Sequence, residues 1–319
     1  MKFKVLFIFL LLPIFTLAQI PYEKAEQLIE KKQFKSAVNL LLPYVDEDSE
    51  DIKAIELLGD AYGHQKKWDE AIEQYKKLAT LKPSSANYHY KYGGALGMKA
   101  LSISKFKAVG IIGDVKREFL KAAELDPKHI DARWALVELY MSLPGIVGGS
   151  KSKSLKYANE LEALSKVDGY LAKGYIYEYD DEPEKAEAYY KKAIQVGGSI
   201  NCYEKLINLY ESEKKPDDAI STLVEAEQKH QRNALHYQIG KVSADYGVQL
   251  DRGEKCLLVY LKNHSAADGV PKEWAYYRLA QIYQHKKNKD KALQYIDKAL
   301  ELKHDFKQAK STKSEILAL

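Results

Sequence analysis

The chain has 319 residues, of which 46% are hydrophobic and 29% are charged, and its 49 basic and 45 acidic residues leave a formal net charge of +4. So small an excess, with Lys and Glu interspersed, argues against a nucleic-acid-binding protein, which needs a clustered basic surface. The two cysteines are too few for a disulfide-rich scaffold, and no two of the eight histidines have the i,i+4 spacing of a helical metal site. We therefore expect no metal and no other cofactor.

The first 18 residues have the features of a secretory signal peptide. Two lysines precede an apolar run from Val5 to Leu17, and small residues stand at the −3 and −1 positions of a cut after Ala18. The run is shorter than the roughly 20 residues that a transmembrane helix needs. We therefore expect cleavage near Ala18, export to the periplasm or the medium, and membrane contact only through export.

Residues 52–83 carry the clearest internal pattern. A Leu-Gly-x-x-Tyr motif falls on one face of a first helix, and an Ala-x-x-x-Tyr motif falls on a second helix that ends before a proline. The positions are Leu58, Gly59, Tyr62, Trp68, Ala71, Tyr75 and Pro83. Gly59 and Ala71 are small enough to let two antiparallel helices approach closely. This unit resembles one tetratricopeptide repeat (TPR), a helix-turn-helix of about 34 residues.

We use the position of Gly59 as a marker of each first helix. Equivalent residues recur along the chain, and where the pattern is regular their separation is close to the length of one such repeat. The markers are Ala25, Gly59, Gly93, Val137, Gly174, Ile207, Gly240 and Ala280. We therefore predict an all-α fold, a right-handed α-solenoid of about eight repeats with a C-terminal capping helix, filling residues 19–319 as one domain. The predicted repeats are 19–45, 52–83, 86–127, 130–165, 167–198, 200–231, 233–263 and 273–304, and the cap is 305–319.

The third and fourth repeats are interrupted by insertions at 97–118 and 142–153, which we expect to form unusual loops. The second insertion contains GIVGGSKS, but position six counted from Gly145 is Ser150 rather than the glycine of a phosphate-binding loop. With the later segment YGVQLDRGEKCLLVYL, these insertions resemble an uncharacterised family of exported bacterial TPR proteins. That resemblance covers most of the mature chain and implies the architecture, not the ligand.

Candidate binding residues follow from the resemblance, since the first helices of TPRs line the concave side of the solenoid. The side chains one and four positions after a marker, and four or five before it, are expected to face that groove, together with others near these positions. The candidates are Asp60, His64, Tyr90, Trp134, Glu138, Tyr175, Tyr179, Asn208, Lys241, Tyr277 and Gln281. Aromatic rings beside polar groups suit a peptide surface. We predict a non-catalytic scaffold that binds a protein or peptide, in envelope assembly or secretion.

Two alternatives remain open at this point. The aromatic groove could bind a glycan or another small molecule. An enzyme is the other alternative, with a site in the two insertions if Asp114, Lys116, Arg117 and Lys151 converge on one pocket. The sequence does not indicate the identity of the partner or the oligomeric state.

Overall fold

The computed structural model describes residues 22–45 and 50–318. The predicted signal peptide therefore lies outside the described residues. Within those ranges the chain forms seventeen α-helices and three short 3-10 helices and no β-strand. The prediction of an all-α fold is confirmed. None of the described helices is both long and apolar enough to cross a bilayer.

The helices form two compact units, which meet in the sequence between Leu164 and Ser165. The first unit contains α1 (22–30), α2 (Phe34–Leu41), α3 (Ile52–His64), α4 (Trp68–Leu81), α5 (Ala86–Ser102), α6 (Lys105–Leu125), α7 (Ile130–Ser142) and α8 (Lys151–Leu164), with 3-10 helices at Leu42–Tyr44 and Gly145–Val147. From α2 onward, each helix packs against the next along the chain.

The second unit has the same plan. It contains α9 (Lys166–Tyr179), α10 (Pro183–Val196), α11 (Ile200–Ser212), α12 (Pro216–His230), α13 (Asn233–Tyr246), α14 (Leu250–Lys262), α15 (Lys272–His285), α16 (Lys289–Leu302) and α17 (Lys307–Leu317), with a 3-10 helix at Ala266–Asp268. Consecutive helices again pack together. The last helix, α17, contributes Ala309 and Ile316 to a cluster with Ile296 of α16, and so caps the final pair.

The core of each helix pair is built at the marker positions. In the first unit, a Cβ added to Gly59 of α3 would stand 2.8 Å from Cε1 of Tyr75 on α4. The ring of Tyr75 joins Ile55 and Leu78 in one buried cluster. α3 itself begins where the Asp51 carboxylate accepts a hydrogen bond of 3.0 Å from the Ala54 amide. The sequence pattern, the amino-terminal cap of α3 and the packing at Gly59 therefore all support the same helix pair.

The first insertion differs from the expected loop, because its residues extend two helices. α5 has 17 residues and α6 has 21, and only Ile103 and Ser104 separate them. The preceding pair, α3 and α4, has helices of 13 and 14 residues. Since each helical residue adds about 1.5 Å, the seven additional residues of α6 lengthen it by about 10 Å relative to α4.

The second insertion is a tight turn. Gly148 has a φ of 99°, in the left-handed region, and a Cβ on Gly149 would stand 1.7 Å from the carbonyl oxygen of Leu143. The Ser150 amide then donates a hydrogen bond of 2.8 Å to the carbonyl of Tyr140 on α7. The glycine pair is therefore explained by backbone geometry, since only glycine fits both positions without strain.

Candidate functional site

Ion pairs link the first helices of neighbouring repeats in the first unit. Lys91 on α5 donates hydrogen bonds to Glu56 on α3 at 2.7 Å and to the two carboxylate oxygens of Asp60 at 2.8 and 3.0 Å. Asp60 also accepts a hydrogen bond of 2.6 Å from the Tyr75 hydroxyl. The carboxylate of Asp60, a predicted groove residue, is therefore already bonded to other side chains of the protein. These bonds stabilise the contact between two repeats.

The pKa values of this network reflect burial and charge. Burial, followed by the nearby charge of Asp60 and its hydrogen bond, raises the pKa of Tyr75 far above its usual value of 10.0. Burial acts to lower the pKa of Lys91, but the Asp60 and Glu56 carboxylates outweigh it and the net shift is upward. The lysine therefore stays charged and the phenol stays neutral at neutral pH.

The second unit contains the same kind of link. Lys241 on α13 donates to Glu211 on α11 at 3.0 Å, and Arg278 on α15 forms an ion pair with Asp245 on α13. Arg278 also donates a hydrogen bond of 2.8 Å to the side-chain oxygen of Gln281. The candidates Lys241 and Gln281 thus have partners within the protein, as Asp60 does.

These pairs include residues that the marker offsets missed. Lys91 and Arg278 each lie two positions before their markers, Gly93 and Ala280. Each reaches back to a carboxylate 31 to 35 residues earlier in the chain. A search for opposite charges about one repeat apart on first helices would have given them as candidate ion pairs, since that spacing places two residues on neighbouring first helices.

The remaining candidates of the first unit are aromatic or exposed. The ring of Tyr90 lies 6.0 Å from that of Phe119 and 5.1 Å from that of His129, measured between centroids. Burial, and then the nearby carboxylates Asp131 and Glu138, raise the pKa of Tyr90. On α7, Trp134 is half-buried and Glu138 is exposed. Tyr90 is half-buried like Trp134, so Glu138 is the exposed residue of these three.

His64 lies at the end of α3 and is exposed. Its imidazole stacks on the ring of Phe34 of α2, with centroids 4.8 Å apart and planes 11° from parallel. The contact holds the ring against the preceding helix pair, although the residue remains exposed.

In the second unit, two candidates, Tyr179 and Asn208, are exposed on neighbouring first helices, and a third, Tyr175, is half-buried beside Tyr179. Tyr179 on α9 is 53% exposed, and its ring centroid lies 6.0 Å from that of Tyr175, one turn earlier. Asn208 is exposed on α11, which contacts α9. Asn208 follows its marker by one position, as Tyr175 does. The three side chains therefore belong to the same face of adjacent repeats.

Tyr277 differs from the expectation of an open groove. It is 8% exposed and belongs to the buried cluster beneath α17. Its ring centroid lies 6.0 Å from that of Trp274 and 5.3 Å from that of Phe306. The residue three positions before a marker points into the core here, because the capping segment that contains Phe306 covers it.

The four polar residues of the two insertions do not line one cavity. Arg117 is held by Asp114 at 2.5 Å and by Glu118 at 2.9 Å, all on α6. Lys116 extends its amine toward the turn at Gly148. Lys151 lines a shallow cavity on α8 whose other walls come from residues 152–163. Among the described residues, no group of three His, Cys, Asp or Glu side chains could hold a metal ion.

Parts of the chain match protein-family models and a curated protein. Models described as "Tetratricopeptide repeat" match residues 167–196 and 273–306, and one described as "TPR repeat" matches residues 59–99. A stretch of 132 residues, 41% of this chain, is 33% identical to part of the Homo sapiens protein described as "Protein O-mannosyl-transferase TMTC1". That stretch spans 14% of the human protein.

Solved structures of TPR proteins are also similar. One from Parabacteroides merdae is 12% identical, with a TM-score of 0.49 over 94% of this chain and 98% of that chain. YrrB, described as a TPR protein with an unusual peptide-binding site, is 19% identical, with a TM-score of 0.44 over 61% of this chain and 97% of that one. The repeat matches and the stacked helix pairs show that the chain is a tetratricopeptide repeat protein.

Proposed function

We propose that this protein is an exported, non-catalytic scaffold that binds an extended peptide or partner segment on the first helices of its repeats. Repeats of this class serve protein–protein interaction, and they present extended surfaces built from many modest contacts. The observation that carries the proposal is the group formed by exposed Tyr179 and Asn208, with half-buried Tyr175 beside them, on α9 and α11.

The chemistry of this group suits a peptide. Tyr179 supplies a large ring and a hydroxyl at a low cost in conformational entropy, because only two side-chain torsions are fixed on binding. The Asn208 amide has both donors and an acceptor, which match the alternating groups of a peptide backbone. The polar groups of Lys241 and Gln281 are hydrogen-bonded to other side chains of the protein, which makes them less available to a peptide. Binding energy is therefore expected to concentrate at the α9–α11 face.

Selection of peptides from a random phage-displayed library on the purified full chain tests this proposal. Selected peptides should bind the unaltered protein, and the double variant Tyr179→Ala with Asn208→Ala should bind them at least about tenfold more weakly. Tyr44→Ala is the matched control, since Tyr44 is 46% exposed but lies outside the first helices. The proposal fails if no peptide is selected, or if both variants reduce binding equally.

The cellular setting is a separate part of the proposal and rests on the predicted signal peptide. A chain exported to the periplasm or the medium would serve in envelope assembly or secretion. Fractionation of the native cells, with sequencing of the amino terminus, tests this part. A mature chain that begins near Gln19 outside the cytoplasm supports it, and an unprocessed cytoplasmic chain contradicts it.

A further inference from the structure

The extended α5–α6 hairpin carries a surface that the proposed peptide site does not use. We define the hairpin tip as residues 98–113, the last residues of α5, the bend and the first residues of α6. α6 is seven residues longer than α4, so this end of the hairpin exceeds the preceding pair by about 10 Å. The additional length forms a protrusion on the first unit.

Large apolar side chains stand on this protrusion. Phe106 is 91% exposed, Leu101 is 80% exposed and Val109 is 54% exposed. A Cβ added to Gly110 or Gly113 would meet no heavy atom within 4 Å, so this side of α6 faces open space in the described part of the chain. Soluble proteins rarely gather exposed apolar residues in this way unless the surface binds something.

A further apolar side chain lies in the neighbouring turn. Ile146 of the 3-10 helix Gly145–Val147 is 95% exposed. This turn lies beside α6, because the Lys116 amine stands 3.5 Å from the position of a Cβ on Gly148. The turn next to α6 therefore adds one more exposed apolar side chain to the same unit.

The charges around these side chains have one sign. The hairpin tip contains Lys99, Lys105 and Lys107 and no Asp or Glu. Lys99 forms an ion pair with Asp69 of α4. Lys105 and Lys107 flank Phe106, both are exposed, and neither forms an ion pair with a described residue. The free positive charges thus lie beside the most exposed aromatic ring.

We propose that the hairpin tip docks on an anionic lipid surface, with Phe106 and Leu101 in the interfacial layer and Lys105 and Lys107 against the lipid phosphates. Apolar residues flanked by lysines are the arrangement that binds the surface of anionic membranes. The tip is convex, so a protein partner would need separate pockets for its side chains, whereas a lipid layer adapts to them. A second copy of the tip would bring like charges together, which is unfavourable.

A fluorescent label on the tip tests the proposal directly. The full chain with Phe106→Cys, and with Cys202 and Cys256 changed to Ala, is labelled with an environment-sensitive dye and mixed with vesicles of phosphatidylglycerol and phosphatidylcholine. The control carries the label at Leu302→Cys, since Leu302 is 56% exposed on α16. We expect the emission at position 106 to shift to shorter wavelength and its quenching by iodide to fall, with no change at position 302.

A charge reversal tests the role of the lysines. Lys105→Glu combined with Lys107→Glu should lower partitioning of the tip label onto the anionic vesicles by at least about tenfold, because each lysine near an anionic surface contributes to binding. The apolar amino-terminal run is the same in every variant, so differences between variants belong to the tip. The proposal is overturned if the label stays open to iodide, or if vesicles of pure phosphatidylcholine act equally well. A shift that needs only higher protein concentration would indicate self-association and also overturn it.

Discussion

The backbone of Gly174 on α9 lies directly against the ring of Tyr190 on α10. A Cβ on Gly174 would stand 2.3 Å from Cε1 of that ring, closer than any real contact, and the Tyr190 side chain is fully buried. The Tyr190 hydroxyl donates a hydrogen bond of 2.5 Å to Glu178, which fixes the ring across the first helix. The two helices of the pair can approach this closely only because one of them lacks a side chain at this point.

Replacement of this glycine is expected to overpack the helix pair. Gly174→Ala should lower the free energy of unfolding by about 1–3 kcal/mol, because the buried ring has no space into which to move. Urea unfolding followed by circular dichroism measures the change. Gly94→Ala is the matched control. Gly94 lies in α5 with no heavy atom within 4 Å of its added Cβ, so that variant should gain about 0.5–1 kcal/mol. Equal effects of the two variants would contradict the close-packing interpretation.

Glycine spacing explains why the helix pairs could be predicted from the sequence. Gly59 contacts Tyr75 and Gly93 contacts Phe119, and the second of these pairs is the more widely separated along the chain. The inserted residues of the third repeat are visible in the sequence as this longer spacing. Their conformation is not, because a lengthened loop and two lengthened helices give the same separation between the contacting residues.

The ion pairs between neighbouring repeats were not predicted from the sequence. The marker offsets selected Asp60 as a residue free to meet a ligand, whereas its carboxylate is bonded to Lys91 and Tyr75. Whether Lys91 reaches Asp60 depends on the rotation between neighbouring pairs and on the reach of a flexible side chain, and neither is encoded in the repeat pattern. The same reasoning applies to Tyr277, since its burial depends on the position of Phe306 in the cap.

Lys91 is expected to stabilise the contact between the second and third repeats. Lys91→Met should lower the free energy of unfolding by about 1–3 kcal/mol, because it leaves Glu56 and Asp60 as two half-buried carboxylates without a cation. Lys121→Ala is the control, since the pair of Lys121 with Glu124 is exposed and should contribute less than about 0.5 kcal/mol. A Lys91 variant as stable as the control would refute this role.

Alkaline pH is expected to destabilise the second unit through its buried tyrosines. Burial, followed by the hydrogen bond to Glu225, raises the pKa of Tyr203 to about 12, and burial with the charge of Asp268 raises the pKa of Tyr260 to about 12. In the unfolded chain the pKa of tyrosine is near 10.0. Between pH 10 and 12 the unfolded state therefore loses protons that the folded state keeps, so stability is complete below pH 10 and falls as the pH rises to 12.

Urea midpoints measured from pH 8 to pH 12 test this pH dependence, and absorbance at 295 nm follows the ionisation of tyrosine. Tyr203→Phe removes one of the phenols whose pKa is raised in the folded state, so its stability should fall less steeply than that of the unaltered protein between pH 10 and 12. A variant with an unchanged slope would show that Tyr203 titrates normally in the folded state.

Arg133 of α7 is expected to be irreplaceable by lysine. It is 6% exposed, and its guanidinium donates to Glu160 at 3.0 Å and to the carbonyl oxygens of Asp126 and His129 at 3.3 and 3.1 Å. A lysine ammonium has no planar fork with which to reach three acceptors in different directions, so Arg133→Lys should cost about 1–3 kcal/mol of unfolding free energy. Arg232→Lys, at an exposed position, should change it by less than about 0.5 kcal/mol. Thermal unfolding of both variants decides the point, because charge is kept in each and only the geometry of the donors differs.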